Sequence, residues 1–142
     1  MTPEKQIDSA ELFSHVMNCL NSISFKYQSD PANKSFRLAF ASEVFTYEAI
    51  IICGNQFLTV NSRLPLTVQE HHVDEVLKLI NGRNIRTPIG NYEFNEEFHF
   101  VNSRNGMYID ELPRAAVVKN LIERAVGNAD LISKELSKIL LN

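Results

Sequence analysis

Apolar residues in this chain recur at two different periods, and the order of those periods most constrains the fold. They follow helical spacing in three segments, at about 9–20, 67–81 and 113–139. In the stretches between, they alternate with polar residues, as in half-buried strands. Runs of strands interrupted by single helices favour an α+β fold, with a twisted, mostly antiparallel sheet and three helices on one of its faces. The predicted order is α-β-β-β(-β)-α-β-β-α.

The first helix has a clear N-terminal signal. Asp8 is followed three residues later by Glu11, which is the spacing of a capping box. Ile7 and Leu12 flank this pair in the positions of a hydrophobic staple. We therefore predict a helix that begins directly after Asp8 and packs one apolar side on the sheet.

The other two helices have terminal signals of different kinds. The second is predicted to begin at Thr67, with Glu70 three residues on, and to end at Gly82, since glycine readily adopts the left-handed cap conformation. The third is predicted to begin near Asp110 to Pro113, because the missing amide of proline costs nothing in a first turn. An unbroken helix from there would be about 40 Å long. We therefore expect a kink at Gly127 or an end that projects from the domain.

The alternating segments predict a sheet built largely of hairpins. Gly54-Asn55 is a two-residue turn between two of the strands, and Asn105-Gly106 is predicted to turn the chain into a short extra strand over 107–109. The main predicted strands are 24–28, 36–40, 43–53, 56–64, 89–94 and 98–103.

Length and composition predict a single domain over residues 1–142, with its core at about 9–140. The chain has no internal repeat or linker, and 142 residues can bury a proper core. The N-terminus lacks a secretory pattern, and no apolar run is long enough to cross a bilayer, so we expect a cytoplasmic protein that does not bind membranes. Its net charge of −3 argues against nucleic acid as a partner.

No constellation of residues predicts catalysis, a cofactor or a metal. His71 and His72 are adjacent on a helix and point about 100° apart, so they cannot share a face. His15 and Cys19 are four residues apart and could form an activated thiol, but Cys19 lies beside the apolar stripe, where a core role is expected. Glycine-rich phosphate loops are absent. We predict that the protein is not an enzyme.

One predicted strand, 43–53, is apolar on both faces towards its end, and helices on one side of a sheet cover only one of them. We therefore predict a partner or dimer surface that includes Tyr47 and Ile51, extended by Phe57 on the next strand. A terminal segment folded across that face is the alternative.

A second, different reading rests on basic residues after the second helix. Lys78, Arg83 and Arg86 make the segment around the predicted helix end locally positive. Such a loop could hold an anion, which would make the protein a sensor of a small molecule or anion. Solvated loop charges explain the same residues without a ligand.

The chain, most clearly in its second half, resembles the YbjN-like family, whose members are described as bacterial sensory transduction regulators. The segment 73–81 resembles the family's helix ending in isoleucine and asparagine, 89–94 its glycine-aromatic strand, and 98–101 the partner strand. A long C-terminal helix closes the domain in both. The resemblance covers about residues 9–140, and its motifs concern packing and turns.

This resemblance implies a fold like that of type III secretion chaperones. Proteins of that fold commonly act by binding other proteins, often as dimers. The resemblance therefore implies a non-enzymatic interaction module, either a regulator or a chaperone-like protein, that binds a polypeptide partner or forms a homodimer. It carries no functional residues over to this chain.

Overall fold

Three α-helices and six β-strands follow one another in the computed structural model, which describes residues 6–141. The predicted order of elements is confirmed, and a single turn of 3-10 helix, Glu70–His72, precedes the second α-helix. The elements are α1 (Ser9–Ser22), β1 (Gln28–Asp30), β2 (Ser35–Ala41), β3 (Thr46–Gly54), β4 (Phe57–Thr67), α2 (Val73–Arg86), β5 (Asn91–Asn95), β6 (Phe100–Tyr108) and α3 (Ala115–Leu140).

All neighbouring strands in the sheet are antiparallel, in the order β1-β2-β3-β4-β6-β5. β3 and β4 pair through a tight hairpin, with Ile51 opposite Val60. The register between β4 and β6 shifts between Arg63 and Thr67. Pro65 lies in this interval, and a residue without an amide hydrogen fits a break in the ladder.

The start of α1 is as predicted. Asp8 is its N-cap, and the side-chain oxygen of Asp8 accepts a hydrogen bond from the Glu11 amide at 2.8 Å. Ile7 and Leu12 are both buried in the core beside it. The cap thus sets the position of α1 on the sheet.

Both predicted ends of α2 are wrong. Thr67 still belongs to β4, and the next amide, that of Val68, bonds to the His99 carbonyl at 2.7 Å, which keeps the chain extended there. α2 also continues past Gly82 to Arg86. Gly82 does not adopt the left-handed conformation, and Thr87 ends the helix instead through its amide and hydroxyl on the Arg83 carbonyl.

α3 is one helix of 26 residues that passes through Gly127 without a break, so it is about 39 Å long. Its end does not project, because its two halves pack in two parts of the core. Val118 and Ile122 join α1, β2 and one end of β3, whereas Ile132 and Leu136 join α2 and the β5 side. The predicted kink or projection is therefore wrong.

A buried hydroxyl network ties α3 to the middle of the sheet. The Tyr47 hydroxyl donates to Asp130 at 2.9 Å and lies 2.7 Å from the Ser133 hydroxyl. Tyr47 is fully buried, and its desolvation raises the pKa of its phenol. These bonds satisfy polar groups that would otherwise be costly to bury.

β6 runs straight through the predicted Asn105-Gly106 turn. Asn105 pairs with Val60 and Gly106 with Thr59, so the extra strand over 107–109 does not form. β4 is long enough, at 11 residues, to pair with the whole of β6. At the other end of the sheet, the strand predicted over 24–28 lies later, at Gln28–Asp30.

The outer edge of β5 is closed by one side chain from α2. The Asn84 amide oxygen accepts from the Tyr92 backbone N–H at 2.7 Å, and its nitrogen donates to the Tyr92 carbonyl at 3.0 Å. Asn84 thus makes the two bonds that another strand would make at this position.

Two glycines provide a matched test of this packing. Gly90 has φ +85°, and a Cβ there would overlap the side-chain amide of the buried Asn105. We expect Gly90→Ala to lower the free energy of unfolding by more than about 1 kcal/mol, measured by urea denaturation. Gly127 has no neighbour within 4 Å of such a Cβ, so Gly127→Ala should raise it by about 0.5–1 kcal/mol. Equal effects of the two changes would contradict this packing.

Candidate interaction surface

The two faces of the sheet have different surroundings. α1, α2 and α3 all pack on one face, where side chains such as Leu38, Ala49, Val60 and Val101 are buried. The opposite face carries no helix within residues 6–141. We call it the open face, and it is the candidate interaction surface.

The sequence correctly indicates that β3 is apolar on both faces, but it assigns the wrong one to a partner. Tyr47 and Ile51 are 0% exposed and lie under the helices, so neither belongs to a surface. Ile50 and Ile52 occupy the open face, and Phe57 is 54% exposed there, as the prediction required of it. The terminal helices lie on the other side, so no terminal segment among the described residues covers this face.

At one end of the open face, Phe57, Tyr108 and Ile52 form an apolar patch. Phe57 and Tyr108 are opposite each other on β4 and β6, with ring centroids 6.0 Å apart in an edge-to-face arrangement. Gln56 donates to the Tyr108 hydroxyl at 2.9 Å, which orients that ring. Tyr108 is 57% exposed and Ile52 40% exposed, so the patch presents apolar area on a rigid sheet.

Next to the apolar patch, the open face forms a polar depression with a volume of about 470 Å³. Arginines and asparagines provide most of its polar groups. Asn61 lies near its middle, where its amide oxygen accepts from Asn102 at 3.1 Å and from Arg104 at 3.2 Å. The lining of the depression includes Arg37, Glu48, Asn61, Arg63, Phe100 and Arg104.

The charges in the polar depression are mostly paired. Arg104 lies 3.1 Å from Glu93, and Arg37 lies 3.9 Å from Glu48. Arg63 instead places its guanidinium over the Phe100 ring, 4.0 Å from the centroid. Sequence reasoning missed this contact, because Arg63 and Phe100 are 37 positions apart and meet only through the pairing of β4 with β6.

The basic segment predicted to be a loop is helical instead. Lys78, Arg83 and Arg86 all lie on α2, and Arg83 forms an ion pair with Glu135 of α3. Lys78 precedes Arg83 by five residues, which at 100° per residue is 140° beyond one full turn of the helix, so the two do not share a face. The three charges therefore do not converge on one point of a loop, and anion binding by them stays a prediction.

His15 and Cys19 are neighbours, as predicted, but both face the Pro113 carbonyl. His15 Nε2 is 2.5 Å from that oxygen and the Cys19 thiol 3.8 Å. Since a carbonyl oxygen only accepts, Nε2 carries the proton of this bond. Burial raises the pKa of the Cys19 thiol, and it raises the pKa of Cys53 to about 12. Both thiols are thus held in their unreactive form.

The described residues offer neither a metal site nor a membrane-spanning helix. No three histidine, cysteine or acidic side chains among residues 6–141 are grouped so that they could hold a metal ion. In the same range, no helix combines the length and the apolar character needed to cross a membrane.

Comparison with solved structures identifies the fold. A chain in the structure of the HopA1–SchA chaperone–effector complex matches with a TM-score of 0.61 at 8% identity, over 87% of this chain and 95% of that one. A chain in the crystal structure of the ExsC–ExsE complex gives 0.62 at 11%, over 88% and 93%. Identities this low show the fold alone. The two structural matches confirm the predicted type III secretion chaperone-like architecture.

Comparisons by sequence find no match. No protein-family profile matches the chain, and no curated protein is similar to it in sequence. The resemblance to the YbjN-like family therefore stays a prediction.

The burial of the two cysteines leads to a simple chemical test. We expect neither Cys19 nor Cys53 to react with a thiol reagent at about pH 8 until the protein is unfolded, because burial disfavours the thiolate that reacts. Absorbance of a released thiol chromophore would measure this, with the denatured chain as the control. Rapid reaction of Cys19 in the native protein would restore the idea of an activated thiol.

Adjacent isoleucines test the assignment of faces on β3. Ile51→Asp places a carboxylate in the core and should lower the free energy of unfolding by more than about 3 kcal/mol. Ile52→Asp faces solvent and should lower it by no more than about 1 kcal/mol. Urea denaturation followed by circular dichroism would measure both. A loss of free energy well above about 1 kcal/mol for Ile52→Asp would show that the open face is covered.

Proposed function

We propose that this protein is a non-enzymatic, chaperone-like module that binds another polypeptide on the open face of its sheet. The observation that carries the proposal is the apolar patch, Phe57, Tyr108 and Ile52, exposed on a face that no described helix covers. The fold adds support, because it is shared with a chain from a chaperone–effector complex.

The apolar patch has the properties of a binding surface. Aromatic side chains bury large areas on binding and lose little rotamer freedom. Phe57 and Tyr108 already contact each other, and both lie on strands paired along their length. A partner that covers them would therefore pay little ordering entropy on this side of the interface.

The proposed function involves neither catalysis nor a cofactor. The two thiols are buried, and His15 is engaged by a backbone carbonyl, so the proposal assigns the protein neither a catalytic group nor a cofactor. A regulator that acts by binding a partner protein would also agree with the resemblance to the YbjN-like family. Cytoplasmic location and a homodimer, in which a second copy covers the same patch, are further parts of the proposal.

Site-specific photocrosslinking tests the proposed surface in living cells. A photoreactive phenylalanine analogue would replace Phe57 or Tyr108, with Leu131 on α3 as the control, since Leu131 is similarly exposed at 61%. We expect discrete adducts heavier than 16.2 kDa from the two open-face positions and none from Leu131.

The mass of the adducts separates the possible partners. An adduct that contains a different polypeptide supports chaperone-like binding, and one at twice the chain's mass supports the homodimer. Adducts from Leu131 alone, or no adduct at Phe57 and Tyr108, would overturn the assignment of the open face.

A further inference from the structure

Arg63 differs from the other two arginines of the polar depression because no carboxylate neutralises it. Arg37 and Arg104 each have a glutamate within 4.0 Å, whereas within residues 6–141 Arg63 forms neither an ion pair nor a side-chain hydrogen bond. Its position over Phe100 covers one flat side of the guanidinium. The N–H groups lie in the plane of the guanidinium, and they stay available at its edge.

We infer that Arg63, held by Phe100, binds an acidic side chain of the polypeptide that the open face carries. This inference rests on the proposed function and specifies the partner as an extended segment with acidic residues next to apolar ones. Arginine binds a carboxylate through two parallel hydrogen bonds, and stacking on an aromatic ring holds it in place beforehand.

The surroundings of Arg63 favour an anion over a cation. The depression carries three arginines against Glu48 and Glu93, which leaves one positive charge in excess. Glu48 is directly opposite Arg63 on β3, but it lies closest to Arg37, with which it pairs. The unpaired positive charge is therefore at Arg63, beside the donors of Asn102 and Arg104.

The distances across the sheet favour an extended chain over one small anion. Arg37 and Arg104 lie in the same cross-strand row, with Ile50 and Asn61 between them. Three strand spacings separate them, which is about 14 Å. Each of the two arginines is directed to its own glutamate and not to one shared point, whereas an extended peptide presents same-side residues about every 7 Å.

Phe57 of the apolar patch lies on the same strand as Arg63. Phe57 and Arg63 are six positions apart along β4, which is about 20 Å. An extended segment of about seven residues would reach from one to the other. Glu48 and Glu93 on the same face would repel a uniformly anionic chain, so a polypeptide of mixed character fits better than a nucleic acid.

Two synthetic peptides test the inference by fluorescence anisotropy. Each would have about twelve residues, with leucines at one end and either alternate glutamates or alternate glutamines at the other. We expect the full chain to bind the glutamate peptide at least about tenfold more tightly, and Arg63→Gln to remove that difference. Arg63→Lys should restore only part of it, because lysine keeps the charge and loses the planar stack.

Matched variants separate this inference from the proposed function. Arg124→Gln, at an exposed arginine on α3, should leave both affinities unchanged, and circular dichroism should show that every variant is folded. Phe57→Ser should weaken both peptides, which reports on the apolar patch alone. If Phe57→Ser weakens both peptides and Arg63→Gln still prefers the glutamate peptide as strongly as the unchanged protein does, the proposed function stands and the inference fails.

Other outcomes would also overturn the inference. Equal binding of the two peptides by the unchanged protein, or binding of neither, would contradict recognition of a carboxylate. A single-stranded oligothymidine of similar length that bound more tightly than the glutamate peptide, and lost its affinity in Arg63→Gln, would assign Arg63 to phosphates instead.

Discussion

α3 lies across one face of the sheet and contributes to both parts of the core, through Val118 and Ile122 at one end and Ile132 and Leu136 at the other. α1 and α2 each bury their apolar sides next to a different half of it. Because all three helices pack on this face, the other face carries only sheet side chains among the described residues. The candidate surface thus exists because of where α3 packs.

Local sequence signals were reliable where a short-range bond decides the structure. Asp8 caps α1 as predicted, because the cap needs only the Glu11 amide three residues away. Thr67 has the same spacing to Glu70, but pairing with β6 keeps it in a strand. Likewise Asn105-Gly106 is a strong turn signal that pairing with β4 overrides. Contacts between distant segments decided both cases, and a local pattern does not contain them.

At the candidate site, too, local patterns were informative and contacts between distant segments were not predicted. Alternation in β3 correctly separates Ile51 from Ile52, but both sets are apolar, so the pattern cannot say which set the helices cover. Phe57 was named because it lies one register along on the next strand, and it is exposed on the open face. The contact of Arg63 with Phe100 depends on the pairing of β4 with β6, and no rule of spacing along the chain predicts that these two strands pair.

The bonds from Asn84 to Tyr92 have a consequence for how the molecule stays separate from its copies. An uncovered strand edge is a template on which further chains can add and aggregate. Asn84 occupies this edge of β5, and at the far end of the sheet β1 is only three residues long. Fraying of the end of α2 would release Asn84 and expose the β5 edge while the core stayed packed. Resistance to aggregation therefore depends on the last turns of α2.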